Sequence, residues 1–129
     1  MHVSVVSIPV SDQDRAKKFY TEVLGFEQLA DTRIQPEMRW VHLTAPGGGA
    51  TVTLVTWFPS MPAGSLRGLV LEVDDIDARH AELTAQGYEF PDGIRAEPWG
   101  RYLTVEDPDG NGIVLQTSTR NANRQREKA

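Results

Sequence analysis

The chain has 129 residues, 40% of them hydrophobic and 24% charged, with a formal net charge of −5; that suits one globular domain, or two small halves sharing a core. The acidic balance argues against nucleic acid and anionic membrane as partners, and no apolar run reaches a transmembrane length. With no cysteine in the sequence, a disulfide framework, a thiolate metal site and a cysteine nucleophile are excluded.

The opening MHVSVVSIPV has a short apolar run and no basic region before it. It is expected to be a first strand rather than a signal peptide, in a cytoplasmic protein. Ser11 or Asp12 can then cap a helix whose apolar stripe is Ala16, Phe19, Tyr20, Val23 and Leu24, with Gly25 placed to end it. RIQPEM, residues 33–38, reads as a loop. RWVHL and ATVTLVTW read as strands separated by TAPGGG. FPSMPAGS, residues 58–65, has the Pro and Gly content of a linker.

The second half repeats the pattern. GLVLEVDDIDARHAELTAQGY is again strand then helix, with Val73, Asp75 and Asp77 matching Val10, Asp12 and Asp14. The second helix is expected to carry Ile76, Ala81, Leu83 and Ala85 and to stop at Gly87. Asp74, Asp75 and Asp77 sit where its free N–H groups need caps. A short strand near Tyr88–Phe90 follows, then RYLTV and GIVLQ. At a constant spacing of 61, Trp40 aligns with Arg101, Gly49 with Gly110 and Thr53 with Val114. The chain therefore reads as α+β: a first βαβββ module over 1–60, a second over 61–117, and a polar tail over 118–129. They form one structural domain, a curved mixed sheet with the helices on its outer face.

DPDGNG, residues 107–112, places Asp, Asp, Asn and Gly at positions 1, 3, 5 and 6 of a calcium loop. Position 12 would be Ser118, where calcium needs a bidentate Glu, and the segment lies between strands. A hairpin turn is the expectation.

Strand side chains alternate between faces. One parity collects Val6, Ile8, Val41, Leu43, Val52, Leu54, Leu69, Leu71, Val73, Ile113 and Leu115, which should face the helices. The other mixes aromatic, polar and charged residues, which suits a solvated surface or a small-molecule pocket; two Trp and no Lys favour the pocket, and the alternative is an oligomer interface. Its candidate ligand-binding residues are Trp40, His42, Thr53, Trp57, Gly68, Glu72, Trp99, Arg101, Val114 and Gln116. Trp40 and Trp57 could stack on an aromatic or cationic ligand. Trp99 could cover the mouth. Arg101 could meet an acidic ligand or pair with Glu72. Glu72 and Gln116 could serve as polar handles or satisfy each other. His42 could orient a ligand or act as a base.

The paired modules, with FYTEVLGF at 19–26, LEVDDID at 71–77 and EDPDGNGIVL at 106–115, resemble the vicinal oxygen chelate superfamily. It includes glyoxalase I, extradiol dioxygenases, fosfomycin-resistance enzymes and bleomycin-resistance proteins. The resemblance covers residues 3–117. It implies a homodimer, and in the family's metal enzymes a divalent ion held by His or Glu from the first and last strands of each module. The matching positions here are Val5, Thr53, Gly68 and Val114. None carries an imidazole or carboxylate, so no metal and no cofactor is expected. The leading reading is metal-free binding of a small aromatic or cationic molecule, as in drug or metabolite sequestration. The alternative is a lyase, isomerase or dioxygenase, either metal-free with His42 or Glu72 as base or metal-dependent through other ligands.

Overall fold

The computed structural model describes residues 1–128. The elements are β1 (Val5–Pro9), α1 (Gln13–Lys18, widening into a π-type turn over Phe19–Val23), β2 (Glu27–Gln35), β3 (Met38–Thr44), β4 (Thr51–Val55), β5 (Leu69–Glu72), α2 (Ile76–Ala85), β6 (Arg95–Glu97), β7 (Gly100–Glu106), β8 (Gly112–Ser118) and α3 (Thr119–Lys128). The fold is α+β. Two four-stranded sheets form, in the orders β1-β4-β3-β2 and β5-β8-β7-β6. In each sheet the first strand of the module pairs parallel with the last, Val6 beside Val52 and Leu69 beside Ile113. The chain divides into two compact units: residues 1–67 with 106–111, and residues 68–105 with the chain from 112 onward.

In the first unit, the Asp12 carboxylate accepts from Arg15 N at 3.0 Å and starts α1. The π-type turn closes with Leu24 N donating to Phe19 O. That wider turn buries the adjacent Phe19 and Tyr20 together, edge to face at 5.2 Å. Gly25, with φ of 77°, ends the segment. Ile8, Val41, Leu43, Val52 and Leu54, the apolar parity of the sheet, are buried as well.

RIQPEM is not a loop. It is the end of β2, a turn at Pro36 and Glu37, and the start of β3. The strand pattern there is disguised by two irregularities, where Leu29 and Ile34 fall out of register and remain exposed. The linker-like segment is pinned rather than loose. Gly64 N donates to Pro9 O, Leu66 N donates to Asn111 Oδ1, and Arg67 donates to the Gly110 carbonyl.

DPDGNG is a turn with a packed centre. The Asp107 carboxylate accepts from Tyr20 OH at 2.8 Å, from Asp109 N and Asn111 N at 2.9 Å, and from Asn111 Nδ2 at 2.8 Å. Those oxygens are fully engaged by the protein's own donors. Burial first, and then the Asp107 charge, push the Tyr20 hydroxyl far above its usual range, so it stays a donor.

In the second unit, Asp75 caps α2 through Ala78 N at 3.0 Å. Of the four expected apolar positions, Ile76 and Leu83 are buried, whereas Ala81 and Ala85 are exposed. Tyr88–Phe90 forms no strand; the strand that follows α2 is β6, displaced past the turn that Gly93 closes onto Phe90. Of the polar tail, Thr119–Lys128 is helical. Asn121 and Gln125 of α3 donate to the Asp74 carboxylate at 3.4 and 3.3 Å.

Candidate functional site

One face of the first sheet gathers Ser7, Thr32, Trp40, His42, Thr51 and Thr53, and it is open around Trp40 and His42 but closed over Thr53. The register sets this: His42 lies opposite Ala30 on β2 and Thr53 on β4, Trp40 lies opposite Thr32, and Ser7 lies beside Thr53. Trp40 and His42 are half-buried, with ring centroids 5.6 Å apart and planes tilted by 58°. His42 Nε2 lies 2.6 Å from Thr51 Oγ1. Ser7 Oγ and Thr53 Oγ1 share a hydrogen bond at 3.3 Å, and Thr53 is fully buried. None of these neighbours of His42 is charged. Ser7, Thr32 and Thr51 are absent from the sequence-based candidates; of these Thr51 reaches the imidazole, and only the register of β3 on β4 brings it there.

Trp57 lies two residues past the end of β4, against Phe58 at a centroid distance of 6.0 Å. Nothing brings its ring to Trp40.

In the second unit, Glu72 and Gln116 are opposite one another, and Gln116 Nε2 donates to Glu72 Oε1 at 3.3 Å. The other Glu72 oxygen accepts from Ser118 N at 2.9 Å. Val114 lies opposite Val70, which is 47% exposed. Gly68 precedes β5 with open space where a side chain would start. Trp99 is the most exposed tryptophan, at 60%, while its carbonyl is held by Thr119 N.

Arg101 is not on this face. Both of its terminal nitrogens donate to Asp77 of α2, at 2.9 and 3.0 Å, and it makes no pair with Glu72. Leu103 and Val105, which share its parity, are buried. The cause is one residue in the hairpin. Six residues, 45–50, separate β3 from β4, but only five, 107–111, separate β7 from β8. The constant spacing of 61 therefore holds for β4 and β8 but fails across the turn. Arg39, Val41 and Leu43 correspond to Arg101, Leu103 and Val105, and a slip of one residue exchanges the faces of a strand. The helix-side pair in the first unit is Arg39 with Asp14, at 2.8 Å, where Arg39 and Lys17 also hold Asp31. Hydrogen bonds from Arg39 and Lys17 keep the Asp31 carboxyl well below the usual carboxylate range.

An open pocket of about 270 Å³ lies among the start of α2, β7 and α3, lined by Asp74, Asp77, Glu97, Arg101, Thr117 and Arg126 among others. Its charges are mixed, and several are engaged: Arg101 holds Asp77, and α3 holds Asp74.

The donor set does not fit the divalent ion of the metal enzymes. Val5, Gly68 and Val114 offer no side-chain donor, and the Thr53 hydroxyl is enclosed and bonded to Ser7. Among the described residues, no three His or acidic side chains gather as a metal cluster.

The sequence model of the Glyoxalase/Bleomycin resistance protein/Dioxygenase superfamily matches residues 2–115. The chain belongs to that superfamily. Among its relatives, the Bacillus subtilis (strain 168) uncharacterized protein YetH is 33% identical over 117 residues, covering 88% of this chain and 96% of YetH. Among solved structures, TnmS3, an antibiotic binding protein from Streptomyces sp. CB03234, is 46% identical with a TM-score of 0.85, covering 92% of this chain and 97% of that one. A superfamily member from Sphaerobacter thermophilus DSM 20745 is 35% identical with a TM-score of 0.80, covering 91% and 97%. Among the described residues of this superfamily member, no helix is long and apolar enough to cross a membrane.

Proposed function

We propose that this protein binds a small aromatic or cationic organic molecule without a metal, and sequesters it rather than transforming it. The observation that carries this reading is the open face around Trp40 and His42, in a chain whose Val5, Thr53, Gly68 and Val114 supply no ligand set for a divalent ion. A half-buried indole beside an imidazole offers stacking area, and the imidazole offers a polar contact. Gly68, Glu72, Val114 and Gln116 mark the corresponding face of the second sheet. The 46% identity to an antibiotic binding protein supports a binder over an enzyme. On this reading the protein acts as a cytoplasmic homodimer with no nucleic-acid or membrane partner.

The experiment is a titration with panels of aromatic and cationic compounds, followed by tryptophan fluorescence and melting temperature, with chromatography of the recovered compound. Saturable quenching, a raised melting temperature and unchanged compound are expected. No response across saturating panels would sink the reading; a converted compound would move it to an enzyme.

A further inference from the structure

The polar contacts of His42 set which of its ring nitrogens carries the proton. Thr51 has one hydroxyl proton and two polar neighbours: the Ser4 carbonyl at 3.2 Å, which can only accept, and His42 Nε2, which can accept or donate. Both contacts are made together only when the hydroxyl donates to Ser4. A lone pair is then left toward His42 Nε2, 2.6 Å away. The imidazole therefore donates from Nε2, and in its neutral form Nδ1 is a bare acceptor. Among the described residues, Nδ1 has no hydrogen-bond partner. The side chains opposite the ring cannot supply one: Ala30 has no donor, and the Thr53 hydroxyl is shared with Ser7. Trp40 stands at 5.6 Å.

We infer that Thr51 locks His42 as the Nε2–H tautomer, and that Nδ1 accepts a hydrogen bond from a hydroxyl or N–H group on an aromatic ligand lying beside Trp40. This rests on the binding reading above and narrows its ligand class. Around His42, the uncharged residues Ala30, Thr32, Thr51 and Thr53 offer a cation no counter-charge. The polar handle there is one imidazole acceptor. A phenol, enol or aromatic N–H compound fits it, whereas the matching ether leaves the acceptor unpaired and loses affinity.

Two measurements test this. Long-range ¹H–¹⁵N spectra of the histidine rings, with the His42 signals assigned by their loss in His42→Phe, should show Nε2 protonated and Nδ1 bare. In Thr51→Val, which keeps the side-chain shape, the single-tautomer pattern should give way to a mixture. In parallel, 2-naphthol and 2-methoxynaphthalene are titrated into wild type and both variants. The naphthol should bind roughly tenfold tighter in wild type, as one hydrogen bond to a half-buried acceptor predicts. That preference, read as the ratio of the two affinities in each protein, should vanish in His42→Phe and shrink in Thr51→Val. A protonated Nδ1, or equal affinity for the two compounds in wild type, overturns the inference and leaves aromatic binding standing. Failure of both naphthalenes, together with the wider panels, overturns the inference and the binding reading with it.

Discussion

Arg101 on β7 grips Asp77 on α2 through two parallel hydrogen bonds, 2.9 and 3.0 Å long, at the position that Arg39 and Asp14 occupy in the first module. Strand-to-helix pairing of this kind orients a helix on its sheet. It also removes Arg101 from ligand binding.

Arg101→Gln should therefore leave affinity for aromatic probes unchanged and lower the melting temperature slightly. The Arg101 hydrogen bonds hold the Asp77 carboxyl below its ordinary value. A depressed carboxyl stabilises above the unfolded-state range, and that contribution fades as pH falls through the folded value. The gap between wild type and variant should close in acid and narrow in high salt, because the pair is solvent-exposed. Melting curves across pH and salt check this. A large loss of ligand affinity would return Arg101 to the site.

Asp107 should prove the costliest polar residue to remove. Its buried carboxylate gathers four donors from Tyr20, Asp109 and Asn111. Asp107→Ala strands them and should cost about 3 kcal/mol, while Tyr20→Phe, which removes one donor, should cost about 1–2 kcal/mol. Urea denaturation of the three proteins measures both. Equal stability of all three would mean that the turn holds without its centre.

Metal removal should be silent. Dialysis against a chelator should change neither melting temperature nor probe affinity, and added nickel, zinc, manganese, ferrous iron or calcium should shift neither. Elemental analysis of the purified protein gives the direct answer. Roughly one tightly held ion per chain or per dimer would show that a donor set other than Val5, Thr53, Gly68 and Val114 holds it, and would call for glyoxalase and dioxygenase assays.

Trp40→Ala should weaken binding of an aromatic probe by about 1–3 kcal/mol and abolish most of the ligand-induced quenching. Trp57→Ala should do far less, since that ring is turned to Phe58. Isothermal titration of both variants separates the two tryptophans. The reverse ranking would place the ligand elsewhere.

The sequence by itself determined the repeat, the two-residue stretch that holds each helix cap, the apolar parity of β1, β3 and β4, and, at the four positions the family resemblance picks out, the absence of metal-binding side chains. Each of these depends on local chemistry: which side chain can cap, alternate or donate. Asp12 and Asp75 cap as their spacing implied, and Trp40 and His42 share a face because they are two residues apart on one strand. The tertiary structure alone decided what lies across from them. Thr51 reaches His42 only through the register of β3 on β4. Arg101 turned to the helix because the second hairpin is one residue shorter than the first. Tyr20 finds Asp107 across 87 residues of chain. Alternation repeats every two residues, so a single deletion in a turn inverts every side chain of the strand before it relative to the strand after it. Local pattern carries no record of which strand absorbs that inversion; burial of Leu103 and Val105 settles it.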